Sequence, residues 1–123
     1  IGNIYKEIDS TTSLQSEKNY GNLKLKPDIK TSNQIIDTKY KLVKNKDDLK
    51  TSDKYQMFTY GINFDLRDTI LLYPKHLFNI DEDLKLGIGE NLVRLKMKSI
   101  DLMCEDIGYE DYIKEITVRV KNL

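Results

Sequence analysis

The chain is poor in the residues on which several common chemistries depend. Its one cysteine, Cys104, has no partner for an internal disulfide. No cation and histidine stand beside it to make a nucleophilic thiolate, so burial is the plain expectation. The one histidine, His76, lacks a second imidazole with which to build a zinc site and reads as a loop residue after Tyr73-Pro74-Lys75. No apolar run approaches the ~20 residues of a membrane-spanning helix. The amino end carries no basic-then-apolar leader, so a reducing cytoplasm and no membrane contact are expected. Gly87-Ile88-Gly89 precedes Glu90 and a predicted strand where a phosphate-binding loop would need a helix, which leaves a turn.

Net charge is absent too, with 20 basic and 20 acidic side chains, but the balance hides an asymmetry. Residues 18–46 hold eight lysines against Asp28 and Asp37 alone, whereas 101–115 hold six acids against Lys114. A lysine-rich stretch attracts polyanions by steering and counterion release. Lysines on exposed strand faces equally protect a sheet edge, and charge alone does not choose between the two. The acidic segment is either a solvated helix face or a docking surface.

At 123 residues, with 39% hydrophobic and 33% charged side chains, the chain has the size and composition of one folded domain. Residues 22–30 alternate apolar and polar as a half-buried strand does. Thr31-Ser32-Asn33 reads as a turn and Gln34 to Val43 as a second strand, closing an antiparallel hairpin. Pro27 removes a ladder donor and marks an edge or the end of regular pairing. Ser52 or Asp53 can cap a helix running to Asn63. Thr69 to Tyr73, stopped by Pro74, reads as a buried central strand. A strand over 91–103 and a helix over 109–123 follow. The order predicts an α/β domain, a mixed β-sheet flanked by helices.

One cluster carries chemistry. Asp37 and Lys39 share a strand face about 7 Å apart while Thr38 points away, and Asp28 joins them if the hairpin closes in register. Two carboxylates and waters suit Mg²⁺ or Mn²⁺, which would polarise a phosphodiester and activate water. Lys39 would orient that water or offset charge developing on the phosphate, and would serve proton transfer only if the two neighbouring acids do not hold its pKa too high. Asp-x-Lys alone says little, because it occurs at 28–30, 37–39, 48–50 and 83–85. Only the second follows Ile35-Ile36 one short hairpin after Pro27-Asp28, and even there an exposed ion pair is the bland alternative. Gln56 and Tyr60, at i and i+4, share a helix face and could support the site, although Tyr60 could equally be core beside Met57 and Phe58.

Pro27-Asp28, Asp37-Thr38-Lys39 nine residues on, and Gln56-x-x-x-Tyr60 together resemble the PD-(D/E)xK nucleases of the RecB-like branch. Leu25-Lys26-Pro27-Asp28-Ile29, Ile35-Ile36-Asp37-Thr38-Lys39-Tyr40-Lys41, Asp53 to Tyr60, and Ile70 to Pro74 resemble more narrowly the McrC nuclease domain family of McrBC restriction systems. The resemblance implies a PD-(D/E)xK restriction-endonuclease-like fold over 1–123, as the carboxy-terminal fragment of a longer McrC-like chain. It implies that Asp28 and Asp37 bind the divalent metal with the Thr38 carbonyl, that Lys39 assists the attacking water, and that Gln56 and Tyr60 support the site or touch DNA. It further implies DNA hydrolysis coupled to a McrB-like GTPase partner. Lys24, Lys26, Lys30 and Lys41 would meet the DNA backbone. The family's first helix, with its further acid, has no convincing counterpart before residue 20, where Glu7, Asp9 and Glu17 are candidates. The other readings are a RecB-like nuclease of a different defence or repair system, and a non-catalytic DNA-binding or assembly module.

Overall fold

The computed structural model describes all residues except 16, 40–42, 44, 46–48, 50, 77–78 and 103–107. In chain order the elements are α1 (Gly2–Ile8), β1 (Ser13–Leu14), β2 (Lys18–Tyr20), β3 (Leu23–Leu25), β4 (Ile29–Lys30), β5 (Gln34–Thr38), α2 (Thr51–Phe64), β6 (Asp68–Pro74), β7 (Asp81–Leu86), β8 (Val93–Ile100) and α3 (Tyr109–Lys121). Six strands form one mixed sheet in the order β1-β4-β5-β6-β8-β7, and β2 and β3 form a separate hairpin.

The expected apolar run places β6 in the middle of the sheet. It lies parallel to β5 on one side and to β8 on the other, and Ile70 to Tyr73 are all buried. A strand buried on both faces has no polar side to show, which is why it reads as a continuous run. Alternate residues then serve two cores. Ile35, Leu71, Tyr73, Leu95 and Met97 pack with Met57 and Tyr60 of α2. On the opposite face Ile36, Ile70, Leu72 and Ile100 pack with Ile4 and Tyr5 of α1 and with Ile116 and Val120 of α3. The result is a sheet between two helical layers, the mixed α/β architecture expected.

Several boundaries differ from the sequence expectation. The strand expected over 22–30 is two: β3 pairs with β2, and β4 pairs with β5, with Ile29 opposite Ile36. Leu25 belongs to the α2 core and Ile29 to the α1/α3 core, so the chain changes faces between them. Pro27 is the cause, since it offers no ladder N–H. The strand expected to reach Val43 ends at Thr38, with Tyr40 to Leu42 outside the described residues. The last strand covers 93–100 of the 91–103 expected, Met103 also lying outside the described residues. Helix α1 and strand β7 were not expected at all. The Gly87-x-Gly89 turn joins β7 to β8, and Gly87 has φ +85, where an added Cβ would stand 2.4 Å from the Asn91 carbonyl oxygen.

Helix α2 closes on the sheet at Gly61. A Cβ there would meet Val93 Cγ1 at 2.8 Å and Cγ2 at 2.9 Å, and Val93 is fully buried. Gly61→Ala should therefore lower stability by about 1–3 kcal/mol through overpacking, although alanine favours helix by ~1 kcal/mol. Val93→Ala should relieve it, so that in urea unfolding the double variant's free energy of unfolding exceeds that expected from the sum of the single effects by about 1 kcal/mol. Strict additivity would show that the helix does not rest on Val93.

Candidate active site

The face change at Pro27 builds the site. Asp28 is the first residue after the proline able to donate, and its N–H donates to Asp37 Oδ1 at 3.1 Å in place of a ladder carbonyl. Extending the Ile29–Ile36 register by one residue sets Asp28 opposite Asp37, and opposite positions share a face. The nine-residue spacing read in the sequence is this register. Asp28 Oδ2 accepts from the Thr38 N–H at 2.9 Å and from its hydroxyl at 3.1 Å. Thr38 thus does not simply point away, as alternation predicts, but turns its hydroxyl to Asp28.

From Asp37 the contacts continue without a gap. Lys39 Nζ lies 2.9 Å from Asp37 Oδ2 and donates to Gln56 Oε1 at 2.7 Å. Gln56 Nε2 in turn donates to the Tyr60 hydroxyl at 3.1 Å. Asp28, Asp37, Lys39, Gln56 and Tyr60 therefore form one chain of polar contacts, the carboxylates from the β4–β5 hairpin and the amide and phenol from one face of α2. Tyr60 is both core and site. Its ring is buried with Met57 while its oxygen receives the Gln56 amide.

The electrostatics follow from burial. The Asp37 side chain is 6% exposed. Its pKa is raised, first by loss of solvent and further by the Asp28 charge, against the opposing Lys39 hydrogen bond. Burial is also the largest effect on Lys39 and acts against its charge. The Asp37 hydrogen bond and the charges of Asp37, Asp53 and Asp28 together outweigh it and raise its pKa. Lys39 is thus a cation and hydrogen-bond donor at neutral pH and not a proton acceptor. Tyr60 is likewise raised, by burial and then by Asp37, so its phenol keeps its proton.

Three participants escaped the sequence reading. Asp53, read only as a helix cap, lies 3.7 Å from Lys39 Nζ through Oδ1. The Tyr73 hydroxyl donates to Asp53 Oδ2 at 3.4 Å, and burial followed by the Asp53 charge raises the Tyr73 pKa. Asp53 and Gln56 are three apart on one helix, a spacing that could have revealed the first of these. Gln15 Nε2 donates to Asp28 Oδ1 at 2.9 Å, and nothing in the local sequence signals it. Two of the three candidates for a further acid, Asp9 and Glu17, are placed otherwise. Asp9 accepts from Thr11 and Ser32, Glu17 pairs with Lys24 at 2.7 Å, and Glu7 belongs to α1. Among the described residues no third acidic, histidine or cysteine side chain joins the two aspartates as a metal cluster. Of the lysines assigned to DNA, Lys24 and Lys26 are exposed near the hairpin and Lys30 is half-buried in β4. Lys41 lies outside the described residues.

A family model described as McrBC 5-methylcytosine restriction system component matches residues 3–74. The fold is similar to that of a chain in the refined half-complex from the tetradecameric assembly of Thermococcus gammatolerans McrB AAA+ hexamers with bound McrC, with a TM-score of 0.65 and 13% identity. The match covers 97% of this chain and 30% of that one, so this chain spans under a third of the matched length. No curated protein matches the sequence.

The polar chain has a thermodynamic signature. Lys39→Met leaves Asp37 buried beside Asp28 with no cation and should cost roughly 1–3 kcal/mol at pH 7, less than a fully buried pair because Lys39 keeps part of its surface in water. A carboxyl group whose folded pKa is raised contributes stability below its unfolded value of about 3.9 and loses it as pH rises through the folded pKa. The deficit of Lys39→Met should therefore shrink toward pH 4 in urea titrations. A deficit equal at both pH values would assign it to lost packing instead of charge.

Proposed function

Because the chain belongs to the family of McrBC 5-methylcytosine restriction system components, we propose that it is a McrC-like nuclease domain of PD-(D/E)xK type that hydrolyses DNA phosphodiesters with a divalent cation. The observation that carries this reading is the unbroken contact chain from Asp28 through Asp37 and Lys39 to Gln56 and Tyr60. These five motif residues are spread over 33 positions of sequence, and the hairpin register and the packing of α2 bring their polar atoms into one connected chain.

The donor set fits a hard cation. Two aspartates share a face, and the buried one is raised in pKa by desolvation and by its neighbour's charge, a cost that a divalent ion would offset. Carboxylate oxygens with water favour Mg²⁺ or Mn²⁺ over zinc. Asp28, Asp37 and the Thr38 carbonyl are the residues assigned to hold it. A bound ion of this kind supplies Lewis-acid polarisation of the phosphate and a lowered pKa for its water.

The protein's own groups do the rest. Lys39, kept cationic by its acidic neighbours, donates a hydrogen bond and offsets negative charge at the phosphate. Gln56 holds the ammonium by its carbonyl oxygen, and Tyr60 fixes the Gln56 amide while keeping a phenolic proton to donate. Lys24, Lys26, Lys30 and Lys41 supply the sequence-independent attraction to the DNA backbone. The similar structure holds McrB AAA+ hexamers with bound McrC, and by that analogy a McrB-like GTPase is the proposed partner of the full protein, in the cytoplasm.

The test is cleavage of supercoiled DNA by the full-length protein with its GTPase, in Mg²⁺ and then in EDTA. EDTA and Asp37→Ala should abolish cutting, and Lys39→Ala should slow it by about 10²-fold or more. Cutting untouched by either substitution would overturn the site. No cutting by the wild-type assembly would leave a DNA-binding or assembly module.

A further inference from the structure

We infer that Gln15 is a positioning residue for the Asp28 carboxylate, an inference that rests on the reading of Asp28 as a metal ligand. An aspartate carboxyl group can swing about two side-chain torsions, and a rigid ligand needs donors on both oxygens. Asp28 has them. Thr38 holds Oδ2 through its N–H and hydroxyl, and Gln15 Nε2 holds Oδ1. A carboxylate offers about four acceptor positions, so lone pairs remain for a cation.

The backbone at Gln15 points the same way. Gln15 directly follows β1 and adopts φ +53, in the left-handed region that suits glycine. Among the described residues, Gly21, Gly87 and Gly89 occupy the other positive-φ positions apart from Asp65. Glycine would serve the backbone at position 15 equally well, since the main-chain bond there, from the Gln15 N–H to the Asp28 carbonyl at 2.9 Å, needs no side chain. What glycine would lose is the amide on Oδ1. A non-glycine residue held in this region is a cost that a side-chain role offsets.

The choice of an amide also has a reason. Asp37 is held by a cation, Lys39. A second cation on Asp28 would neutralise the pair and leave little charge to attract a metal. Gln15 orients the carboxylate while leaving its charge intact, so Asp37 is fixed by an ammonium together with the Asp28 N–H, and Asp28 by neutral donors alone.

The test separates backbone from side chain. Gln15→Gly relaxes the turn and removes the donor, whereas Gln15→Met keeps the strain and also removes it. Calorimetric titration with Mn²⁺ alone should show both variants bound about 10–100-fold more weakly than wild type, the usual cost of losing a group that orients a ligand. Urea midpoints without metal should stay close to wild type for Gln15→Gly. Wild-type affinity in both variants would overturn the role of Gln15 and leave the metal site standing. Equal loss of affinity and of metal-free stability in Gln15→Gly would also overturn it, as a purely structural effect. Absence of Mn²⁺ binding by the wild type, with Asp37→Ala as the blank, would overturn the metal-site reading and this inference with it.

Discussion

The structure turns on one hydrogen bond, from the Asp28 amide to the Asp37 carboxylate. Pro27, with no N–H, adds nothing to the β3 ladder that ends at Leu25, and the amide that follows takes a side-chain carboxylate as its acceptor. Taking it brings two carboxylates onto one face. The same break sends Leu25 into the α2 core and Ile29 into the α1/α3 core. A single residue without an N–H thus ties the layering of the fold to the placement of its charged groups.

The charges in turn explain why Lys39 is where it is. A buried aspartate beside another aspartate needs a cation, and Lys39, directly after β5 and two residues along, supplies it. An ammonium inside a protein needs further acceptors, which Gln56 and Asp53 of α2 provide. Tyr60 and Tyr73 anchor those two through the core below. The polar chain therefore ends in packed aromatic rings, and its geometry is set by the same contacts that hold α2 to the sheet.

How much of this was legible depends on where the information lay. β6 and α2 stand close to where the sequence puts them, and the turn between β4 and β5 does too, whereas the hairpin's strands are shorter than the sequence suggests. The motif residues were legible because spacing in a hairpin and on a helix translates directly into shared faces. Helix α1 was not, since seven residues without a side-chain cap make a helix that exists by packing Ile4 and Tyr5, a tertiary fact. β7, Asp-Glu-Asp-Leu-Lys-Leu, shows two leucines among four charges and becomes a strand by pairing with β8. Asp53 was legible only through its three-residue spacing from Gln56 on one helix, and Gln15 was not legible, because its contact with Asp28 is made by tertiary closure with no local motif to mark it.

The sheet order places β1 and β7 at its two rims. β1 is two residues long, too short to template another chain. β7 is six, but its outward residues Asp81, Asp83 and Lys85 are exposed, and Asp81 already pairs with Lys98. A strand docking there would have to strip water from charges of both signs. One border is closed by brevity and the other by hydration, so a sheet with two open ends resists growing into a fibre.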